Sequence, residues 1–412
     1  MDSEKKRKRG NVMSKTVIFH VDVNSAFLSW SAVKRLKNGE ELDIRTVPSV
    51  IGGDENTRHG IVLAKSIPAG KYGIKTAESI YSARRKCPDL LVVPSEHRYY
   101  SECSKKFIAI LKKYAPVVEQ VSIDEAYCDF TGTEGIYGDL EEFAYKLKDE
   151  VKDTLGFTVN VGISDVKPLA KMASDFEKPD KVHTCYSNEV EKKIWPLTVD
   201  NLLFSGDATT KALGEIGIKR IGELANASEE LIVGKLGEHG RDLWNLANGR
   251  ASSIVRQERE AAKSYGHEIT LPEDLYDDKL AEHIILEMTE AVAARVRADG
   301  VSAAVVSCKL TSNKFKNIQR QKKLPEPTDI TNNIYEGVLE MYKKIRSLPE
   351  WKNVGIRLIG VSAAKVDSGE YEQMDFFKTK NNEKMKKLDA AVDSLREKFG
   401  KDAIKRATFL KK

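Results

Sequence analysis

Cysteine is scarce and dispersed: Cys87, Cys103, Cys128, Cys185 and Cys308 are scattered over 412 residues with no C-x-x-C spacing. Zinc sites bring ligands in close pairs, and disulfide frameworks belong to short secreted chains. Neither is expected; the thiols read as reduced and structural, which suits a reducing cytoplasm. No apolar run approaches the roughly 18 residues that a membrane span needs. A charged-then-apolar leader is also missing from the N-terminus, so no membrane association is expected. Strong charge of one sign is absent too: a net +5 permits nucleic-acid binding without arguing for it. No internal repeat is found.

With 41% hydrophobic and 31% charged residues the composition is that of a globular protein. A chain of 412 residues exceeds one compact core, so several domains are expected. Residues 1–13, with basic residues from Lys5 to Arg9 and no apolar period, read as a disordered arm. Thr16 to Val23 is a β-branched run that predicts a buried strand ending near Asp22, and Val118 to Phe130 predicts a second strand with Asp124 and Glu125 in its middle. Helices are expected at 26–37, 76–86, 138–154 and from about Leu169, a hairpin near 51–54, and a strand at 158–163. From 197 to 250 short helical segments alternate with glycines, which suggests a small helical module. A charged tether at 251–260 leads to a second mixed domain, with strands at 263–271, 303–311 and 357–365 and helices near 278–298 and 330–346. The tail from Asp367 is polar, with a helix-forming stretch at its end. The fold class is therefore α+β.

Burying a carboxylate costs several kcal/mol unless it is paired or metal-bound, so three acids on two apolar strands need a reason. If the strands are neighbours, Asp22, Asp124 and Glu125 converge on hard cations such as Mg²⁺, which accepts a few carboxylates and keeps positions for water and phosphates. Two such ions stabilise the attacking and leaving oxygens of an in-line phosphoryl displacement. The competing reading makes Asp22 a helix N-cap and pairs Asp124 with a lysine.

Longer motifs narrow the choice. His20-Val-Asp-Val-Asn-Ser-Ala-Phe27, Val121-Ser-Ile-Asp-Glu-Ala-Tyr127, and the segment from Val161 to Asp175 followed by Lys178-Pro179 resemble, in order and separation, the Y-family DNA polymerases of the DinB type. The likeness runs from about Val17 to Val366. It implies a low-fidelity, lesion-bypassing polymerase of a bacterial cytoplasm, with a right-hand fold: palm 14–33 and 96–186, fingers 34–95, helical thumb 187–250, little finger 261–366, and a tail 367–412. No proofreading exonuclease domain is visible. By the resemblance, Asp22, Asp124, Glu125 and the Val23 carbonyl hold two Mg²⁺ ions, with Mn²⁺ an alternative, and Glu125 serves the primer 3′-hydroxyl. Phe27 matches a steric gate against the ribose 2′-hydroxyl. Lys178, and more weakly Lys167, match a lysine on the incoming triphosphate.

In one place the pattern departs. Ile67 and Gly70 stand where the family carries a Tyr and an Arg that grip the triphosphate, and Lys65, Lys71 or Lys75 is expected to substitute for them. The small residues Gly60, Val62, Ala64 and Ser66 suit an open pocket around the nascent pair. The stretch Leu203 to Leu224 resembles a helix-hairpin-helix, with Gly206 at a turn suited to a DNA phosphate although Asp207 is an unfavourable neighbour. The last domain resembles the little finger that tracks duplex DNA without sequence preference. Gln373, Phe376 and Phe377 resemble a peptide that docks on the sliding clamp. Primer–template DNA, dNTPs and the clamp are the partners implied, for a monomeric enzyme. The rival, motivated by Ile67 and Gly70, is a DNA- and clamp-binding homologue with weakened catalysis.

Overall fold

The computed structural model describes residues 15–53, 58, 60–257, 262–364, 379–400 and 403–406. The chain forms two compact units, one of residues 1–53 and 60–259 and the other of 54–59 and 260–412.

The first unit begins with β1 (Ile18–Val23), α1 (Ala26–Lys37), β2 (Ser49–Gly52), β3 (Val62–Lys65), α2 (Ile67–Lys71), α3 (Ile80–Lys86), β4 (Leu91–Pro94) and α4 (His97–Tyr114). It continues through β5 (Val117–Gln120), β6 (Glu125–Asp129), α5 (Glu134–Tyr137), α6 (Leu140–Leu155), β7 (Val159–Ser164), α7 (Lys167–Ser174) and β8 (Val182–Thr184). Five of these strands make one sheet in the order β5-β6-β1-β7-β8. As the central strand, β1 is flanked antiparallel by β6 and β7, which is why its sequence is an almost unbroken apolar run. Helix α6 is fixed at both ends: the Asp139 carboxylate accepts from Glu142 N–H at 2.9 Å, and Gly156 turns the chain with φ 83°. Phe107, Phe130, Phe143 and Trp30 fill the core between sheet and helices. Helix α7 lies unusually close to the sheet, because a Cβ on Gly162 would stand 2.0 Å from the Ala170 carbonyl oxygen. A smaller sheet, β3-β2-β4, has its own core around Val50, Ile74 and Ile80.

The expected strand over Val118–Phe130 is two strands, β5 and β6, joined by a tight turn. Val121 and Ser122 N–H both donate to the Glu125 carbonyl, at 3.1 and 3.3 Å, and the Ser122 hydroxyl donates to the Asp124 carboxylate at 2.6 Å. Ser and Asp are turn formers for this reason, and the flanking β-branched residues concealed it. The helix expected over 76–86 starts only at Ile80, after the Ser79 cap.

The helical module holds α8 (Val190–Lys193), α9 (Asp207–Glu215), α10 (Ile221–Asn226), α11 (Glu229–Leu236) and α12 (Glu238–Ala247) around Leu213, Ile221 and Leu243. Part of the expected tether is docked on the first unit: Val255 packs beside Ile18 and Tyr127, and Arg256 N–H donates to Glu119 at 2.7 Å.

The second unit consists of β9 (Ser264–Leu275), α13 (Asp278–Ala298), β10 (Ala303–Ser312), β11 (Asn317–Thr328), α14 (Thr331–Arg346), β12 (Ile356–Ala364) and α15 (Thr379–Phe399). Its antiparallel sheet runs β11-β10-β12-β9 and is covered on one face by α13 and α14 through Val306, Leu310, Ile334 and Val292. On the other face lie Gly266, Lys309, Gln319 and Ser362, joined by short contacts such as Ser307 to Ser362 at 2.7 Å. Helix α15 returns to the helical side of this unit. Among the described residues no helix is long and apolar enough to cross a membrane.

Candidate active site

Asp22 and Glu125 are direct register partners on neighbouring strands, and the Asp124 carbonyl accepts the Val23 N–H at 3.0 Å. The β-pairing therefore brings together the three acids that the sequence placed on two strands. Asp22 does not cap α1; Ser25 holds that position, with a left-handed φ of 45°.

Each of two acids faces a lysine. Lys178 Nζ pairs with Asp22 and, at 2.7 Å, with Asp175. Lys171, one helical turn along α7 from Lys167, pairs with Glu125. His20 Nε2 lies 3.3 Å from the same Glu125 carboxylate, within electrostatic reach but not aligned as a hydrogen bond, while its Nδ1 meets the Ser174 hydroxyl at 2.9 Å. These surroundings separate the two acids chemically. The His20 imidazole and then Lys171, against the opposing effect of burial, hold the Glu125 carboxyl down at about 2. Burial pushes the Asp22 carboxyl above its usual range, more than the Lys178 ammonium draws it down. Asp22 is thus a desolvated carboxylate whose charge depends on a nearby cation.

A clasp of buried amides sets the position of Lys178. Asn24 Nδ2 donates to Asn160 Oδ1 at 3.0 Å, and Asn160 Nδ2 donates to the Ser174 and Glu177 carbonyls at 2.9 and 2.7 Å. Asp180 N–H returns to Asn24 Oδ1 at 3.0 Å. The loop carrying Lys178 is thereby tied to the strand carrying Asp22. Neither amide, nor His20 or Lys171, was singled out from the sequence; their roles arise only when β1, β7 and α7 converge.

Among the described residues no three His, Cys, Asp or Glu side chains are gathered into a cage for a metal ion. The donor set nevertheless suits hard cations: carboxylates on adjacent strand ends, with two ammonium groups satisfying them from the side. Asp22, Asp124 and Glu125 are the side chains that could hold such ions, and Lys178 and Lys171 balance the charge of Asp22 and Glu125 here.

The remaining candidates are distributed around this point. The Phe27 ring is half-buried and stacks on Tyr100 at 4.7 Å and 10°, with His97 edge-on at 5.8 Å, so its orientation is fixed from α4. Lys167 is engaged elsewhere: both Glu119 oxygens accept from it at 2.7 Å, and it lies 4.8 Å from the Tyr127 ring centre. Lys71 ends α2 and is exposed. Lys65, which donates to the Ile74 carbonyl at 2.7 Å, runs alongside Gly70; a Cβ there would lie 3.9 Å from its Nζ. Gly206 caps α9 without a side-chain bond and is preceded by Phe204 at φ 72°. Gln373, Phe376 and Phe377 lie outside the described residues.

Residues 21–175 match the model of the impB/mucB/samB family, and 262–376 match that of its C-terminal domain. A protein of Clostridium acetobutylicum called DNA polymerase IV is 42% identical over 404 residues, covering 97% of this chain and 99% of that one. A namesake from Alkaliphilus oremlandii is 34% identical over 96% of this chain and 99% of its own. A Dbh–Dpo4 Y-family DNA polymerase chimera superposes with a TM-score of 0.72 at 24% identity, over 85% of this chain and 99% of its own, and a Dbh DNA polymerase in an insertion ternary complex superposes with 0.58 at 22%. These structural likenesses speak for the α+β polymerase fold, and the sequence relatives for descent. The chain belongs to the impB/mucB/samB family of Y-family, DinB-type DNA polymerases.

Proposed function

We propose that this enzyme extends a primer 3′-hydroxyl with dNTPs on a DNA template at low fidelity, in translesion synthesis and repair. The observation that carries the reading is the pairing of Asp22 with Glu125 on adjacent strands, with Asp124 in the turn between β5 and β6. In this reading the large sheet with α4, α6 and α7 is the palm, β2–β4 with α2 and α3 the fingers, α8–α12 the thumb and the second unit the little finger. The clamp peptide would be 373–377. A monomer in the bacterial cytoplasm is the working form.

Asp22, Asp124, Glu125 and the Val23 carbonyl would hold two Mg²⁺ ions, or Mn²⁺, which supply charge stabilisation to the attacking and leaving oxygens. The residues of the chain do the rest. Asp22, raised by burial, gains most from a neighbouring cation. Lys178, released from Asp22, is positioned by the Asn24–Asn160 clasp to meet triphosphate charge. Phe27, locked on Tyr100, excludes a 2′-hydroxyl by contact rather than attraction. The polar face of the little-finger sheet, with Lys309, Gln319 and Ser362, suits a DNA backbone. Gly206 at the start of α9 offers backbone N–H groups to a phosphate.

Primer extension with Mg²⁺ and dNTPs tests this. The wild type is expected to extend, Asp124→Ala to lose extension by at least a hundredfold, and Phe27→Ala to accept ribonucleotides. DNA binding without metal-dependent extension would favour the second reading, a catalytically weakened DNA- and clamp-binding homologue. Ile67 and Gly70, in place of two phosphate-gripping side chains, motivate that reading.

A further inference from the structure

One end of the little-finger sheet displays two large aromatic rings that are mostly exposed. Phe315, in the turn between β10 and β11, is 69% exposed, and Tyr276, just after β9, is 60% exposed. Phe315 also takes a left-handed backbone, φ 60°, that a bulky side chain disfavours and that glycine would adopt freely. The turn is not loose. Phe315 N–H donates to the Ser312 carbonyl at 2.9 Å, Ser312 N–H to the Lys316 carbonyl at 2.9 Å, and Asn313 N–H to the Gly355 carbonyl at 2.9 Å. The ring is therefore displayed on a fixed mount.

Cations surround it. The Arg357 guanidinium lies 4.8 Å from the Phe315 ring centre, and Lys314 and Lys316 flank it in sequence, both exposed. Asp274 is within electrostatic reach of Arg357, with no ion pair between them among the described residues. Gly355 leaves room for the second ring, since a Cβ there would stand 2.9 Å from the Tyr276 hydroxyl. An exposed aromatic face with cations around it suits an unstacked nucleobase with its phosphates, whatever the base. A duplex, whose bases already stack on one another, offers no such face along its length.

We propose that Phe315, with Arg357, Lys314 and Lys316, forms a stacking platform for an unpaired base of the single-stranded template. The proposal rests on the polymerase reading. It adds a base-stacking site to a domain otherwise read as following the phosphate backbone.

The test uses the full chain and two DNAs, a blunt duplex and the same duplex with a 5′ template overhang carrying 2-aminopurine. The wild type should bind the overhang DNA more tightly and quench the fluorophore. Phe315→Ala and Phe315→Gly should each lose about tenfold in affinity for the overhang DNA and lose the quenching, with blunt-duplex affinity and thermal unfolding unchanged. Phe315→Trp should retain both. Because glycine fits the backbone, Phe315→Gly separates loss of the ring from damage to the turn. Undiminished overhang binding and quenching in Phe315→Gly, or an equal loss on blunt duplex, would overturn the platform. A wild type that shows no metal-dependent extension would instead overturn the polymerase reading and leave the stacking result to stand by itself.

Discussion

At the scale of single residues, the contrast between Asp22 and Glu125 shows how one strand pair makes two different acids. They are register partners, yet one is raised by burial and the other is held at about 2 by His20 and Lys171. The acids themselves were legible in the sequence, because a carboxylate in an apolar strand is an energetic anomaly. The Glu125 partners His20 and Lys171 were not legible, because a lysine on α7 looks like any other until the helix is packed on the sheet. The same holds for Ile67 and Gly70: the sequence shows two missing grips, and only the structure shows Lys65 running beside Gly70. Changing Lys65, Lys71 and Lys75 together to Ala is expected to raise the KM for dNTP about tenfold or more, the size of one lost charge-assisted contact. Steady-state kinetics checks this, and an unchanged KM would remove the three lysines from nucleotide binding.

At the scale of elements, the sequence indicated α1, β7, α13, α14 and the strands β10 and β12 nearly at their observed limits, because each has a clear apolar period, while β9, expected to end at Leu271, runs on to Leu275. It failed where another pattern masked the period. No strand was expected where β11 lies, because the charged Arg320, Lys322 and Lys323 leave no apolar period there; they belong to an edge strand paired on one side only with β10. Helix α4 was passed over altogether. The contact of α7 with the sheet was hidden as well, since nothing in Val-Gly-Ile announces that α7 approaches within contact of Gly162. Gly162→Ala would place a Cβ 2.0 Å from the Ala170 carbonyl and 2.4 Å from the Ser174 N–H, both backbone atoms that cannot swing aside. The helix carrying Lys171 would have to lift, at a cost of about 3 kcal/mol, the upper part of the usual overpacking range. Gly266→Ala, whose Cβ would meet nothing closer than 3.8 Å, serves as the control. Urea denaturation should show a clear loss for the first and little for the second.

At the scale of the whole chain, α15 raises the question of what holds a polar C-terminal helix to its domain. Leu388, Leu395 and Phe399 are exposed, so apolar burial contributes little. Instead the docked face is charged. Asp393 and Asp389 meet Arg297 of α13 at 2.6 and 3.3 Å, and Asp389 also accepts the Thr331 N–H at the start of α14, at 2.8 Å. In the opposite sense, Arg396 and Arg406 meet Glu290 of α13 at 2.8 and 2.5 Å. The Glu290 side chain is only 10% exposed, and these two arginines are its ion-pair partners. Replacing Arg396 and Arg406 together by Met keeps bulk over Glu290 but removes both charges, leaving its mostly buried carboxylate unpaired, a change that typically costs about 3–5 kcal/mol, less here because Arg406 is partly solvated. Glu290→Gln in that double variant removes the unpaired charge and should restore part of the loss, whereas in the otherwise unchanged chain the same substitution should destabilise. Thermal unfolding of the second unit, followed with and without high salt, checks the sign of both effects. Equal effects of Glu290→Gln in the two backgrounds would show that α15 is held by something other than these pairs.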